Sequence, residues 1–580
     1  MWSKFIKMEA KTYKRLPYGI SNFKSMRTDN YAYVDKTMYI EMLEKESNPN
    51  QFFIRPRKFG KSLFFTILAY YYDLNEAKNF DMLFGDLYIG KHPTPERNAY
   101  AILQFDFSGM DTSSEEGFVK SFSNKVHYTV RAFFRTYQDV FSEAAHYIEL
   151  LDKSDFGIMA MDLVFQAAKT DNVKVYFIID EYDHFANDLI AMGSLLGKDL
   201  YKTMIAANGL VRDFYERIKA STKFVASRTF ITGISPVMLD DLTSGYNISI
   251  NFTLEPEYNE MMGFTQEEVD WLMHETGVNA DFIAVDMPTY YDGYLFCEEG
   301  KSRVYNPAMV LYFFYQILQR QKPPKAIIDE NLKTDYGRLK RLIQTDRNRE
   351  TLIQIIKDNG IVAEVLQKFS IDRINDDRYF ISLLFYMGLL TIKEPAMGKL
   401  RLEIPNYSIR TLYWEYILLM ANENSPDMVV QSRPLDEAII ALAMEGNLGR
   451  FIGYVSENAF SKLSDHDLQN FDEKYIKAFL LAYLFMSRLY IPMSEYEAVP
   501  GRADIYLQRN PLVPQVKYEW LFELKYCKAG AKASEIAKQK QEGQAQIAKY
   551  RQSHRFADHP DLKAAVIVFI GKNKYELLEL

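Results

Sequence analysis

The chain has 580 residues and a mass of 67.7 kDa, which predicts roughly three to four domains at about 150 residues each. Hydrophobic residues make up 48% and charged residues 25%, a usage that excludes a disordered or fibrous protein. The 69 basic and 77 acidic residues give a net charge of −8, so any nucleic-acid site must be a local patch. Two cysteines, Cys297 and Cys527, exclude a disulfide framework and a four-thiolate zinc site.

The amino terminus and the apolar stretches predict a protein without a membrane span. Residues 1–14 scatter lysines among polar residues and lack the apolar core of a signal peptide. The most apolar windows, residues 379–392 and 479–486, fall short of the roughly 18 residues that a transmembrane helix needs. We therefore expect no membrane contact and a reducing, cytoplasmic location.

Residues 1–254 alternate short β-rich runs with longer helical patterns, as in a sheet flanked by helices. Helices of this length can cross over between parallel strands. The segment is therefore predicted to be an α/β domain with a mostly parallel sheet. The expected elements are strands at residues 51–54, 101–107, 173–180 and 228–234, and helices at residues 61–72 and 210–220.

Residues 255–434 are predicted to form a mainly helical lid that ends in a linker. Thr265 and Glu268 have the spacing of a helix capping box. Near the end, a helix at 381–387 precedes two short strands around a Pro/Gly turn, a pattern typical of a winged-helix-like unit. Such a unit either binds DNA or packs as a lid, and the sequence leaves both readings open.

Residues 435–580 are predicted to form a third, C-terminal α/β domain. The order helix, helix, three strands, helix, strand indicates helices packed on a sheet. The expected elements are helices at 435–444, 473–488 and 533–551, and strands at 491–493, 503–507, 518–525 and 564–570.

A phosphate-binding loop is predicted directly after the first strand. Residues 55–62 read Arg-Pro-Arg-Lys-Phe-Gly-Lys-Ser and lead into a helix. This arrangement places backbone N–H groups, an ammonium and a hydroxyl around a polyphosphate and its Mg²⁺. Gly60 lets the backbone approach, Lys61 neutralises phosphate charge and Ser62 ligates magnesium. Arg55 stands where the usual pattern has its first glycine, which leaves the geometry of ATP binding open.

An apolar strand that ends in two acids supports this interpretation. Asp180 would hold the magnesium shell and Glu181 would polarise an attacking water. Thr232 ends another strand, where it would either sense the γ-phosphate or form a simple turn. Arg228 and Arg303 are both candidates for an arginine finger, and the sequence does not choose between them.

Several motifs resemble the AAA-ATPase-like family: residues 16–23, 33–37, 55–63, 105–109 and 179–183. The resemblance implies a P-loop ATPase of the AAA or STAND kind over residues 16–251, and Arg55 matches the family's habit. It implies a nucleotide site that includes the following residues: Arg57, Gly60, Lys61, Ser62, Leu63, Asp180 and Thr232. Tyr33 and Asp35 are candidates for the adenine site, with a plain helix cap as the alternative.

A second constellation, of two acids and a lysine, lies near the C-terminus. Glu523 and Lys525 share a strand face because side chains repeat with period two, and Asp504 on a neighbouring strand can reach the same spot. Two carboxylates bind a divalent metal, and oxygen ligands favour Mg²⁺ or Mn²⁺. Residues 517–555 hold nine basic and four acidic residues, which suits a polyanion. The alternative is a surface salt-bridge cluster.

This constellation resembles the PD-(D/E)XK nuclease fold, a restriction-endonuclease-like domain that AAA-ATPase-like proteins often carry at their C-terminus. The resemblance implies catalysis by Asp504, Glu523 and Lys525. It also implies a further metal ligand at Glu473. A Gln-x-x-x-Tyr helix of the exonuclease branch is implied at Gln546 and Tyr550.

Together these patterns predict an α/β protein that binds and hydrolyses ATP and is coupled to a metal-dependent nuclease. The expected cofactors are ATP and Mg²⁺ or Mn²⁺. The expected substrate is nucleic acid, with DNA expected rather than RNA. The expected biological role is in defence or in mobile-element biology. One alternative is a nucleotide-regulated binding or signalling protein with an inactive nuclease scaffold. Another is an ATPase whose C-terminal domain mediates homo-oligomerisation.

Overall fold

The structure is a computed structural model that divides into two compact units. The first comprises Met1–Ile283, Met287–Asn348 and Val362–Pro405, and the second Ala284–Asp286, Arg349–Ile361 and Asn406–Leu580. The predicted division into domains 1–254, 255–434 and 435–580 stays a prediction. The described residues are 13–192, 195–205, 209–238, 246–283, 286–322, 324, 326–329, 346–368, 376–424, 432–458, 460–462, 473–498, 501–557, 559–572 and 574–580.

A five-stranded sheet organises the first unit, in the order β2-β3-β4-β1-β5. Every neighbouring pair in it is parallel, which confirms the predicted parallel α/β architecture. Strands β1 and β3 are buried along their whole length, as expected for a sheet covered on both faces. The strands are β1 (Asn50–Ile54), β2 (Ala101–Asp106), β3 (Val175–Asp180), β4 (Ala226–Gly233) and β5 (Ile250–Asn251).

The position of β4 between β1 and β3 determines which residues meet at the sheet edge. Because the strands are parallel, the carboxyl ends of β1, β3 and β4 lie at one edge, and predicted site residues lie at or directly after each of these ends. Ile54 pairs with Gly233 in register, so the loop after β1 starts beside the end of β4.

Helix α3 follows β1 and spans the residues predicted for it. Most helices up to residue 405 belong to the first unit, whereas residues 349–357 of α15 belong to the second. The capping box of Thr265 and Glu268 is present at the start of α12. The helices are α1 (Phe23–Thr28), α2 (Met38–Lys45), α3 (Lys61–Tyr72), α4 (Phe80–Phe84), α5 (Tyr88–Lys91), α6 (Glu115–Thr136), α7 (Ala144–Lys153), α8 (Ala160–Thr170), α9 (His184–Met192), α10 (Leu195–Ile205), α11 (Leu210–Ser221), α12 (Gln266–Thr276), α13 (Met287–Tyr291), α14 (Pro307–Arg320), α15 (Asp346–Lys357) and α16 (Asp377–Tyr386).

A hairpin follows α16 and joins a small three-stranded sheet of order β6-β8-β7. Its turn residues Met397 and Gly398 have φ angles of 50° and 76°, and two consecutive positive φ angles suit a tight hairpin turn. The helix and two strands expected here are present, while a DNA-binding wing stays a prediction. The strands are β6 (Ile361–Ala363), β7 (Thr391–Ala396) and β8 (Lys399–Glu403).

The second unit contains a mixed sheet of order β13-β12-β11-β10-β9. Strands β11 and β12 are parallel, and the other neighbours are antiparallel. The strands are β9 (Tyr490–Ala498), β10 (Gly501–Arg509), β11 (Glu519–Cys527), β12 (Leu562–Ile570) and β13 (Lys574–Glu579). The helices are α17 (Tyr407–Asn424), α18 (Ser432–Ile440, continued by a π-helix at Ala441–Glu445), α19 (Leu448–Asn458), α20 (Glu473–Met486) and α21 (Ala533–Arg551).

Helix α21 packs closely over β10, β11 and β12. Gly543 makes this approach feasible, since a Cβ there would lie 2.6 Å from a methyl group of Val566 and 3.4 Å from Cγ of Glu523. The helix therefore brings its inner face onto the strand that carries the predicted Glu523 and Lys525.

Candidate functional site

The loop after β1 has the form of a phosphate cradle. Gly60 has a φ of 96° and caps α3, a backbone conformation that suits glycine. The N-terminal N–H groups of α3 therefore open onto the space above the loop, where an anion is favoured. The predicted loop residues that line this space are Arg57, Gly60, Lys61, Ser62 and Leu63.

Lys61 lies folded over its own loop. Its Nζ donates to the carbonyl oxygens of Arg55 and Pro56, each at 3.0 Å. The residue is 5% exposed, and burial lowers the pKa of the ammonium. Within the described part of the chain, the hydrogen bonds of this ammonium go to neutral carbonyls, so it is well placed to turn toward phosphate oxygens.

The side chains of Ser62 and Asp180, the two predicted magnesium ligands, are in contact. The Ser62 hydroxyl donates to Oδ2 of Asp180 at 2.8 Å, although 118 residues separate them in sequence. Burial raises the pKa of Asp180 to about 6, against the lowering effect of Lys61. The two oxygens form a hard-ligand pair beside the phosphate cradle, so the residues present fit Mg²⁺ bound to a nucleotide.

Glu181 is held in a strained, charged state next to this pair. Its φ is 53°, a conformation uncommon for a non-glycine residue, and His184 Nδ1 lies 2.9 Å from its Oε2. Burial alone would raise the pKa of Glu181, but the His184 hydrogen bond and the charges of Lys61 and Arg57 hold it at about 2. Glu181 is thus an ionised carboxylate, and the ring of His184, a residue that the sequence analysis did not identify, lies against it.

Arg55 does not disturb the cradle, because its side chain turns away into the protein. The guanidinium donates to the carbonyls of Ile54, Thr253 and Tyr258 at 3.1, 2.7 and 2.9 Å. It also lies 4.2 Å from the ring centroid of Phe53, a cation–π contact. The residue that replaces the expected glycine is therefore a structural tie between the loop and residues 253–258.

Replacing Arg55 is expected to destabilise the first unit. Arg55→Met would leave three buried carbonyls without their donor, at a cost of about 3 kcal/mol or more. Urea unfolding measures this change. Arg15→Met is the matched control, because Arg15 is exposed and its guanidinium lies 4.4 Å from the centre of the Tyr31 ring, a contact worth about 1 kcal/mol or less. Equal midpoints for the two variants would contradict the structural role.

Thr232 ends β4 between the phosphate loop and Asp180. It is fully buried, and within the described part of the chain its hydroxyl has no hydrogen-bond partner. A buried hydroxyl normally has a hydrogen-bond partner, so the Thr232 hydroxyl at this edge of the sheet is suited to contact a bound ligand. Asp183, by contrast, is structural, since it accepts from the backbone N–H groups of Ile234 and Ser235.

Neither arginine-finger candidate faces the phosphate loop. Arg228 lies near the start of β4, so it is at the opposite edge of the parallel sheet from Gly60. Arg303 donates to the carbonyls of Gly293 and Ile392 at 2.6 and 3.2 Å. Both arginines serve the fold in this conformation.

A pocket of about 580 Å³ continues from the phosphate loop. Its far end is mostly apolar and has the size and character of a site for a flat ring system. Tyr33 is among the residues that line the pocket, whereas Asp35 accepts from the backbone N–H and hydroxyl of Thr37 at 2.8 and 2.7 Å. The geometry of Asp35 thus favours the helix-cap alternative. The apolar lining comprises Pro17, Ile20, Val34, Met261, Met262, Phe264 and Leu311.

The second constellation forms on one face of the C-terminal sheet. Ile505 pairs with Phe522, so continuing the antiparallel register by one residue sets Asp504 opposite Glu523. Asp504 Oδ2 accepts from the backbone N–H of Leu524 at 2.8 Å, which fixes its carboxylate. Two carboxylates on neighbouring strands thus face one another, as the sequence predicted.

Lys525 and Tyr550 complete the contacts of Glu523. Lys525 Nζ donates to Oε1 of Glu523 at 2.7 Å, and the Tyr550 hydroxyl donates to Oε2 at 3.3 Å. Burial would lower the pKa of Lys525, but its pairing with Glu523 and the charges of Glu473 and Asp504 raise it. Lys525 is therefore a stable ammonium beside the acids.

The other predicted residues of this site are less directly engaged. The amide oxygen of Gln546 is buried with no hydrogen-bond partner in the described ranges. Glu473 acts on Lys525 through its charge. The described residues contain no group of three or more His, Cys, Asp or Glu side chains that could hold a metal ion. Among the residues that the structure describes, Asp504 and Glu523 are thus the facing pair of acids that could hold a metal ion at this site.

Sequence reasoning missed Lys477 on α20. This residue pairs with Glu495, and its Nζ lies 3.8 Å from Oδ1 of Asp504. The signal was available, since Lys477 is the single charge in the apolar run 475–486. A lysine in such a run is buried and must be paired.

The charge balance fits a divalent cation between Asp504 and Glu523. Burial, followed by repulsion from Asp504, raises the pKa of Glu523 to about 7, and burial also raises the pKa of Asp504. A hard cation would relieve this repulsion, so the two acids suit Mg²⁺ or Mn²⁺.

Metal affinity at this pair is expected to rise with pH up to about 7, the pKa of Glu523. Below it, protons compete with the metal and affinity should fall by about tenfold per pH unit. Without metal, the stability of the fold depends on pH in the opposite direction. Glu523 has a higher pKa in the folded state, so the folded protein binds the proton more tightly than the unfolded chain does. That stability is present below the unfolded pKa of 4.5 and is lost as the pH rises through about 7.

Calorimetric titration with Mn²⁺ over this pH range measures the affinity. Glu535→Gln on α21 is the matched control, because Glu535 lies on the exposed side of the helix. A Mn²⁺ affinity that does not change with pH in the wild-type protein would contradict the assignment of Glu523.

Among the described helices, none is both long and apolar enough to span a bilayer. Comparison with known proteins adds independent observations. An uncharacterized protein in the vnfD 5′ region of Azotobacter chroococcum is 24% identical over 549 residues, 93% of this chain and 94% of its own length. A Walker-type ATPase of Pyrococcus abyssi aligns with a TM-score of 0.35 and 11% identity, over 65% of this chain and 94% of its own.

Two family models match the chain, and they confirm both resemblances read from the motifs. Residues 17–243 match the model described as predicted AAA-ATPase. Residues 471–576 match the model of the PD-(D/E)XK nuclease superfamily. Residues 17–243 thus form an AAA-ATPase-like domain, and residues 471–576 form a PD-(D/E)XK nuclease superfamily domain.

Proposed function

We propose that the protein hydrolyses ATP at the P-loop site and cleaves nucleic-acid phosphodiesters at the Asp504–Glu523 site. The observation that carries the first half is the 2.8 Å hydrogen bond between Ser62 and Asp180 beside an ionised Glu181. The second half rests on the facing carboxylates of Asp504 and Glu523, with Lys525 Nζ donating to Glu523 at 2.7 Å.

In the ATPase site, each residue has a role that follows from its contacts. Lys61 leaves the loop carbonyls and binds phosphate oxygens, while the α3 amides hold the remaining phosphate charge. Ser62 and Asp180 would hold Mg²⁺, which neutralises charge on the phosphates when bound. Glu181 accepts the proton of the attacking water, and its low pKa keeps it ionised for this task.

In the nuclease site, Asp504 and Glu523 would hold Mg²⁺ or Mn²⁺. The ion supplies an activated water and stabilises charge on the scissile phosphate. Lys525 lies against Glu523 and is placed to orient the water or to bind a phosphate oxygen. Tyr550 holds the other oxygen of Glu523 and so fixes its carboxylate.

The supporting charge near this site suits a polyanion. Lys528, Lys532 and Lys549 are all at least partly exposed near the strand and helix that carry Lys525 and Tyr550. We propose that the substrate is nucleic acid and that DNA is preferred to RNA. ATP binding or hydrolysis would control cleavage. The biological role would be in defence or in mobile-element biology. Cytoplasmic location and homo-oligomerisation belong to the same proposal.

Two assays on the full chain test this function. Labelled single- and double-stranded DNA and RNA are incubated with protein and Mg²⁺ or Mn²⁺, with and without ATP, and phosphate release is followed in parallel. We expect cleavage of at least one substrate and ATP turnover. ATP binding without any cleavage would reject the nuclease half and favour a nucleotide-regulated binding protein with an inactive scaffold.

A further inference from the structure

Lys477 is a buried cation that the proposed reaction leaves without a role. It is 4% exposed, and its helix α20 packs against β9, β10 and β11. Taking an ammonium out of water is costly unless it is paired, so the position of Lys477 reflects its partners.

The partners of Lys477 are carboxylates from two neighbouring strands. Its Nζ pairs with Oε1 of Glu495 on β9 and lies 3.8 Å from Oδ1 of Asp504 on β10. Ala503 pairs with Tyr496 and Ile505 with Ser494, so Asp504 lies opposite Glu495 in the strand register. One ammonium thus bridges two acids.

Asp504 is shared between two cation positions. On one side it faces Glu523, the pair that would hold a divalent ion, and on the other it faces Lys477 and Glu495. In two-metal phosphodiesterases, two ions about 3.5–4 Å apart clamp the attacking and leaving oxygens of the displacement. Asp504 lies between Glu523 and Glu495 in the strand register, so it forms one pair of acids with each of them, and the ammonium of Lys477 lies at the second pair.

We infer that Lys477 is a built-in cation that replaces the second divalent ion, so that the nuclease site takes one metal ion per chain. The inference rests on the proposed nuclease function. Lys477 acts as a positioning residue: it neutralises Glu495, holds Asp504 in place and contributes fixed positive charge near the scissile phosphate. Removing the ammonium would open the Glu495–Asp504 position to a second ion.

Counting bound Mn²⁺ by electron paramagnetic resonance, with nucleotide-free full-length protein, tests this inference. The ions that belong to the site are those lost in Asp504→Asn. We expect one such ion in the wild-type protein and two in Lys477→Met. Lys477→Arg keeps the charge and is expected to hold one, as is Lys540→Met, which removes a lysine of α21 that pairs with Glu576 at the surface.

Cleavage provides a second readout with its own expected result. Lys477→Met is expected to lose about 10²-fold in rate at a Mg²⁺ concentration that saturates the wild-type protein. Higher Mn²⁺ should restore part of this loss, because a second ion would take the ammonium's position. A surface or purely structural ion pair would show no such rescue.

Two results would overturn the inference. One is two Asp504-dependent ions in the wild-type protein, a count that needs no variant at Lys477 to fold. The other is a single ion in a folded Lys477→Met. If the wild-type protein cleaves no substrate, the proposed nuclease function fails, and the ion counts still decide whether Lys477 occupies a cation position.

Discussion

Asp504→Asn is expected to lower phosphodiester cleavage by about 10³-fold or more, because it removes a negative charge that would hold the proposed metal ion. The substitution keeps the shape of the side chain, and its amide oxygen can still accept the hydrogen bond from the Leu524 N–H. Folding and ATP binding should therefore persist. The measurement is the initial rate of cleavage of labelled nucleic acid.

A control from the same unit separates this effect from a general loss of acidic charge. Asp561 pairs with Arg509 at 3.4 Å, and its side chain is 40% exposed. Asp561→Asn should leave the cleavage rate within about twofold of wild type, as expected for a surface pair of small energy. Equal losses in both variants would show that the rate does not depend on the Asp504 site.

Glu181→Gln is expected to keep ATP binding and to lower turnover by about 10²- to 10⁴-fold. Glutamine can still accept a hydrogen bond from His184, but it cannot take a proton from the attacking water. ATP affinity should change little, because in the proposed site Lys61 and the backbone N–H groups of α3 bind the phosphates. Fluorescent-nucleotide binding and phosphate release separate the two quantities.

Glu216→Gln is the matched control for this prediction, since Glu216 pairs with Arg212 one turn away on a partly exposed helix face. Its turnover should equal that of the wild-type protein. If Glu181→Gln hydrolyses ATP at the wild-type rate, another group activates the water and the assignment of Glu181 is wrong.

Local chemistry made much of the first site predictable. A strand, a Gly-Lys-Ser turn and a helix are contiguous in sequence, so α3 was expected at residues 61–72 and lies there. The partnership of Ser62 with Asp180 followed because the ends of parallel strands meet at one edge. The orientation of the Arg55 side chain could not be predicted from the sequence. Two of its three carbonyl acceptors belong to Thr253 and Tyr258, about 200 positions further along the chain.

The role of His184 was also missed, for a different reason. Its contact with Glu181 depends on the positive φ of that glutamate, which turns the side chain back toward the start of α9. Sequence patterns carry no signal for such a conformation in a residue other than glycine.

The C-terminal sheet was predicted less completely. Strand β13 and helix α19 were not expected. For α19 the signal was present, since its buried residues Leu448, Phe451, Ile452 and Val455 have helical spacing. The pairing of Asp504 with Glu523 was foreseen from period two on adjacent strands. The bridge from Lys477 to Asp504 was not, because it needs α20 to pack across the sheet.

The most direct test of the account compares wild-type protein with Asp504→Asn and Lys61→Ala in one experiment. Labelled DNA is digested in Mn²⁺ with and without ATP, and cleaved product is measured over time. The account predicts ATP-responsive cleavage by the wild-type protein, none by Asp504→Asn, and cleavage that no longer responds to ATP in Lys61→Ala. Cleavage by Asp504→Asn at the wild-type rate would contradict the assignment of the nuclease site.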